Sequence, residues 1–209
     1  MPTLPTLLAF AAVALAMVMT PGPNMVYLVS RSICQGPLAG FISLLGVAVG
    51  FVVYMLSAAF GITALMLAVP YAYDALRFAG ALYLLWLAWS AIRPGRASPF
   101  QVRDLPRDSP RKLFAMGLFT NLLNPKAAVM YMSLLPQFIH PEAGSILSQS
   151  LILGTLQISV SFTVNALIIL TAGGVASFLA RRPLWALIQR WIMGTVLAAL
   201  AIRMALDKR

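Results

Sequence analysis

Thr20-Pro21-Gly22-Pro23-Asn24 interrupts an N-terminal stretch that is otherwise apolar from about residue 4 to residue 30. Proline has no amide hydrogen to give a helix, and its ring clashes with the preceding turn; glycine weakens a helix further. About 104 positions later, Asn124-Pro125-Lys126 does the same to another apolar stretch. Inside a bilayer such a break survives only where protein or a water-filled cavity satisfies the freed backbone groups. Paired breaks at corresponding places in two halves of a chain point to a binding site between the halves.

The composition around the breaks is that of an integral membrane protein. Of 209 residues, 61% are hydrophobic and only 10% are charged, against about 25% charged in a soluble domain. Mean hydropathy is +0.89. A net charge of +10 would suggest nucleic acid in a soluble chain, but here the basic residues sit between apolar runs, and no nucleic-acid partner is expected. The single cysteine, Cys34, excludes an internal disulfide and a Cys-x-x-Cys redox or zinc site. The single histidine, His140, excludes a histidine-based metal cluster within one chain. No metal site and no cofactor are expected.

A helical span takes about 20 apolar residues, and six runs qualify: roughly 4–30, 38–68, 72–92, 113–139, 146–179 and 184–206. The first has no Lys or Arg upstream, so it lacks the basic flank of a signal peptide and reads as a retained span. The predicted fold is all-α: six transmembrane helices with breaks in spans one and four. A first three-helix repeat covers 1–92, a basic linker 93–112, and a second three-helix repeat 113–209. Three spans per half make the second half enter the membrane from the opposite side, so the repeat is inverted. Leu45-Gly46 against Leu153-Gly154, and Gly80 against Gly194, are faint traces of it.

Orientation follows from the basic loops. Arg31, Arg93, Arg96, Arg103, Arg107, Arg111, Lys112, Arg181, Arg182 and Arg190 share one side, which the bias assigns to the cytoplasm. The other side has Arg77, Arg203, Lys208 and Arg209, so both termini are expected to face outward.

Lys126 carries the chemistry. It lies about 14 residues into span four, roughly 20 Å from that span's start at 1.5 Å per residue. A lysine at such depth costs at least ~2.5–3.5 kcal/mol, and no Asp or Glu occupies the middle of any span to offset it. Asp74 is expected to pair with Arg77, while Asp104 and Asp108 belong to the linker and Glu142 to an outer loop. A substrate carboxylate would supply the missing partner. Helices restarting after Pro23 or Pro125 present unpaired amides at a positive dipole end. Asn24 and Asn124 are placed to cap those helices or to contact a ligand. The plainer alternative is a pair of kinked, packed helices with Lys126 satisfied by carbonyls.

Other features carry two readings each. Gly46-x-x-x-Gly50 fits a close helix contact within the fold or between subunits, which leaves a homo-oligomer open. Asn121, Gln157 and Asn165 suit either a pathway lining or interhelical hydrogen bonds. Tyr54 and Tyr131 suit either an ammonium contact or core packing. His140, the one histidine, is a candidate proton carrier, or is simply solvated.

Thr20–Asn24 with SRSICQGPLAGFISLLGVAVG (30–50), and NPKAAVMYMSLLPQF (124–138), resemble the two hallmark blocks of the LysE/RhtB family of amino-acid exporters. The similarity continues through LRFAGALYLLWLA (76–88) and the close from Gly194 to Leu206. It implies six spans and export of amino acids from the bacterial cytoplasm, linked to the proton-motive force. The RhtB branch is associated with neutral amino acids such as homoserine, threonine and leucine, the LysE branch with basic ones; related carriers move metal ions. The expectation is a secondary transporter in the bacterial inner membrane, with a small amino acid as substrate and proton coupling possible. Lys126, Asn24 and Asn124 would bind the substrate, and Pro21, Gly22, Pro23 and Pro125 would hold the helices broken. A membrane enzyme would need a nucleophile–base pair or metal cluster, and a non-catalytic subunit or channel has less use for paired breaks.

Overall fold

The computed structural model describes residues 1–68, 78–79, 81–86, 88–89, 93, 107–181 and 183–206. The expected Asp74–Arg77 pair, Gly80 and linker positions 94–106 lie outside them. Every apolar run that falls on described residues is helical, and among those residues there is no strand.

Helix α1 (Leu4–Met19) starts on Thr3, whose side chain accepts from the Thr6 amide, and ends at Thr20. The stop is local chemistry. The residue before a proline is pushed out of the helical region, and Thr20 has ψ 123°. Helix α2 (Pro23–Gln35) restarts with Pro23 in the first turn, where the missing amide hydrogen costs nothing. The two axes bend by 57°. Gly36, at φ 92°, ends α2 in a conformation that favours glycine, and α3 (Pro37–Ala68) follows directly.

Helix α4 (Pro110–Leu122) begins on Ser109, which accepts from the Lys112 amide. After Leu123 and Asn124 comes the single turn α5 (Pro125–Val129). It runs into a π-helix, Met130–Leu134, and a 3-10 turn, Leu135–Phe138. Pro136 explains the change of winding: it cannot donate to the carbonyl four residues back, and its ring crowds that carbonyl. The ladder widens instead, and the Leu135 amide bonds the Met130 carbonyl five residues back. The expected break in the fourth run is therefore present, and a second irregularity follows it. A short 3-10 turn, Pro141–Ala143, precedes α6 (Ile146–Arg181) and α7 (Pro183–Leu206).

Pro37–Gly61 and Ile146–Ala172 are each long and apolar enough to cross a membrane, and the bent α1–α2 pair passes as one broken span. Helix α6 packs against α1, α2 and α3, and α3 lies along α4. Phe10, Leu28, Leu44, Tyr131, Leu135, Ile139, Leu153 and Ile169 are fully enclosed, with Phe10 edge-on to Phe138 at 5.1 Å. The outside is as apolar as the inside: Leu8, Leu15, Phe60, Leu167 and Leu170 are exposed. That arrangement suits lipid, where helices are hydrophobic all round.

Without a hydrophobic drive between helices in lipid, close packing does the work, and small residues permit it. A Cβ on Gly46 would stand 2.1 Å from the Phe114 carbonyl oxygen, and one on Gly117 2.1 Å from that of Ser43. The Gly46-x-x-x-Gly50 pair thus serves a contact within the fold, α3 on α4. Gly46→Ala is expected to destabilise the protein by about 1–3 kcal/mol through overpacking. Gly61→Ala, with nothing within 4 Å of the new methyl, should be neutral or gain up to ~1 kcal/mol in helix propensity. Thermal unfolding of both variants in one detergent checks this; equal midpoints would refute it.

The two ends of the α1–α2 pair are marked by different chemistry. At one, the Met1 amino group donates to the Ala143 carbonyl at 2.6 Å. At the other, Arg31 at the end of α2 is ion-paired with Asp108, just before α4. Lys112 Nζ lies 2.6 Å from the same carboxylate, and the Gln35 side chain donates to it at 3.0 Å while accepting from the Asp108 amide at 2.9 Å. Hydrogen bonds from Lys112 and Gln35, with the Arg31 charge behind them, hold the Asp108 carboxyl below the usual carboxylate range. Asp108 is therefore a tie between α2 and α4. Arg31 and Lys112 thus lie at the same end of the bundle.

Candidate functional site

The two breaks meet. Lys126 Nζ donates to the Thr20 carbonyl at 2.5 Å, the carbonyl that closes α1. Its Cδ and Nζ lie 3.3 and 3.4 Å from where a Cβ on Gly22 would stand. Glycine at this position, with the extended φ of −152°, is about space: a side chain would fall on the lysine.

Each expected residue has a definite place. Asn124 is the cap of α5, its Oδ1 accepting from the Lys126 amide at 3.0 Å, and Pro125 fills the first helical position. Pro21 and Pro23 flank Gly22 as expected. Asn24 departs from expectation. The cap position of α2 belongs to Gly22, so α2 starts without a side-chain cap. Asn24 lies inside the first turn, 9% exposed, and its Oδ1 is buried with no hydrogen-bond partner. A buried acceptor left open is costly, and at a functional site it marks where a ligand donor fits.

Lys126, Asn24, Asn124, Gln157, Ser161 and Asn165 supply the polar lining of a cavity of about 40 Å³; Met17, Phe51 and Met130 supply apolar wall. Among the described residues, the lining holds one cation and no acid. Lys126 has three N–H donors and, among the described residues, one hydrogen bond from its ammonium, to Thr20. The carbonyl contact of the plainer alternative is thus real, and it leaves donor capacity facing the cavity.

Gln157, Ser161 and Asn165 recur every four residues, which places them on one face of α6. That spacing in an apolar helix was a readable signal, though Ser161 was not singled out. Gln157 Oε1 also accepts from the Tyr131 hydroxyl at 2.5 Å. Tyr131 stacks on Tyr54 with centroids 5.9 Å apart, and the Tyr54 hydroxyl donates to the Leu122 carbonyl at 2.8 Å. Both tyrosines therefore act in packing and in closing the end of α4, and neither lines the cavity. Asn121 is enclosed between α3 and α4, under Gly50, rather than in the cavity. His140 stands at the Ala143 end, half exposed, with Nδ1 3.8 Å from Glu142. Among the described residues, no group of three or more His, Cys, Asp or Glu converges as metal ligands would.

An amino-acid-sized site is typically several times larger, about 300–1,000 Å³ for ligand pockets in general. At about 40 Å³ the cavity accommodates a few waters. Admitting a larger solute requires the α1–α2 break and the α4–α5 break to separate.

The LysE type translocator family matches residues 15–208. A leucine efflux protein of Enterobacter sp. (strain 638) is 30% identical over 202 residues, covering 92% of this chain and 91% of its own. Leucine efflux proteins of Klebsiella pneumoniae and Salmonella choleraesuis are 27% and 28% identical, again over more than nine-tenths of both chains. No solved structure matches.

Proposed function

The chain belongs to the LysE type translocator family, and from that premise we propose that it exports small neutral amino acids, of homoserine, threonine or leucine size, by alternating access. It is a transporter rather than an enzyme. The observation that carries the substrate reading is the cavity between the two breaks, whose described lining has the Lys126 cation, no acid, and Asn24 with a buried, unpartnered oxygen. Lys126 and the uncapped amides that open α2 receive the carboxylate, a helix N-terminus being a ready anion site. Asn24 Oδ1 accepts from the ammonium. Asn124, its own oxygen committed to the Lys126 amide, positions the lysine. Such a site suits a zwitterion. A lysine side chain or a metal cation would meet Lys126 with no acid to offset it.

The architecture belonging to this reading is a six-helix bundle of two inverted three-helix repeats, 1–92 and 113–209, joined by the linker 93–112. The breaks of the first and fourth spans sit at the midplane between the repeats. The protein resides in the bacterial inner membrane with the linker in the cytoplasm and both termini outside, an orientation supported by the ten basic residues assigned to one side. Proton coupling accompanies export.

Counterflow in proteoliposomes containing this protein alone tests the substrate. Vesicles preloaded with leucine, threonine or homoserine should accumulate the tritiated amino acid at least about tenfold over vesicles preloaded with lysine, glutamate or a divalent metal salt. Robust lysine or metal exchange without neutral amino-acid exchange would overturn the proposal.

A further inference from the structure

The central cavity is one of two stacked along the same pair of elements. On α1, Met17 lines the central cavity, and Val13, Ala9 and Pro5, each four residues further along, line a second one. On the facing chain, Ala127 and Met130 line the first, and Leu134, Gln137 and Phe138 line the second. The second cavity lies toward the Ala143 end and has a volume of about 390 Å³, within the range of ligand pockets. Met17 and Met130 line the first cavity and Val13 and Leu134 the second, one turn away on each element, and all four side chains are at most 6% exposed. Three of the four are unbranched or γ-branched side chains able to change rotamer, and the π-helix that carries Met130 and Leu134 is a winding often found at functional sites.

We propose that this second cavity is an exit subsite, occupied by the neutral amino acid after it leaves Lys126. The inference rests on the export reading above and extends it to a place that reading does not assign. Ala9, Val13, Leu134 and Phe138 form an apolar wall for an aliphatic side chain, while Thr6, Gln137 and His140 give the polar ends hydrogen-bonding partners. The half-exposed His140 opens this region to water. With no fixed opposite charge comparable to Lys126, the subsite holds its ligand more weakly than the central one, as release requires.

Ala9→Cys in a Cys34→Ala background tests it, with Leu8→Cys, 63% exposed on the outer surface of α1, as the control. Both are reconstituted, and tritiated leucine counterflow and equilibrium binding are read before and after reaction with a bulky, membrane-permeant, reducible thiol reagent. Modified Ala9→Cys should lose at least about tenfold in flux, keep leucine binding within about twofold, and recover on reduction; modified Leu8→Cys should keep its flux. Complete modification of Ala9→Cys with unchanged flux would overturn the proposal. So would failure of the thiol to react, or loss of binding together with flux. If the unmodified parent neither binds nor exchanges leucine or any other amino acid, the export reading itself falls and the exit subsite with it.

Discussion

Lys126→Met is expected to abolish amino-acid flux while leaving folded protein in the membrane. Among the described residues the ammonium makes one hydrogen bond, to the Thr20 carbonyl, and lines a cavity with no acid in its wall. Removing it deletes the cation that the described lining supplies, so the substrate carboxylate enters unpaired. Losing one partner of a buried, hydrogen-bonded charge pair costs about 2–5 kcal/mol, roughly thirtyfold to several-thousandfold in affinity. Stability should hold, because methionine has similar length and relieves the cost of placing a charge at depth. Lys126→Arg should recover little. A planar fork cannot occupy the space of a compact ammonium, least of all where a Cβ on Gly22 would already stand 3.4 Å from Nζ. Counterflow, with detergent size-exclusion to confirm folding, decides the matter. Full exchange by a stably folded Met variant would exclude Lys126 from substrate binding.

Gly22→Leu is expected to silence transport from the opposite side of the same contact. The backbone at Gly22 is extended, a conformation any residue adopts, so no strain arises from φ. What arises is volume. The new Cβ would meet Lys126 Cδ at 3.3 Å and Nζ at 3.4 Å, and the remaining carbons would fill a cavity of about 40 Å³. The lysine must then leave the Thr20 carbonyl or the two breaks must part. Flux should fall at least about a hundredfold, with binding of tritiated leucine lost in parallel. Gly22→Ala meets only a flexible side chain and should retain a measurable fraction, about a tenth, of wild-type exchange. Equal activity of the Leu and Ala variants would show that the Gly22–Lys126 approach has no part in transport.

Much of the fold was legible because its signals are covalent and local. Pro21, Pro23 and Pro125 end or restart helices wherever they stand, since the missing amide hydrogen and the ring clash act on the residue's own turn. The apolar runs are legible for a similar reason: a bilayer demands about 20 such residues per span. Pro136 was not read as a disturbance, because whether the backbone kinks, stops or widens into a π-helix there depends on what packs around it. Asn124 behaved as its position predicted, because an Asn just before a helix-starting proline finds the nearby amides without help from elsewhere.

Asn24 did not follow the same local logic. It stands one residue after Pro23 rather than one before it, so the cap position passed to Gly22 and the Asn24 oxygen was left buried, without a hydrogen-bond partner among the described residues. Asp108, read as linker, is held by Arg31 and Gln35 from 70 or more positions away. From the amino-acid sequence alone came the two breaks, the apolar runs, the isolated buried cation and the family resemblance. All of these depend on residue type, spacing or chain neighbours. Tertiary structure alone decided that Thr20 and Gly22 would close on Lys126, that Gln157, Ser161 and Asn165 of α6 would face that junction, and that a second cavity would lie in line with the first. Those contacts join residues tens to more than a hundred positions apart. Nothing in the local chain chooses among possible partners; packing of whole helices does.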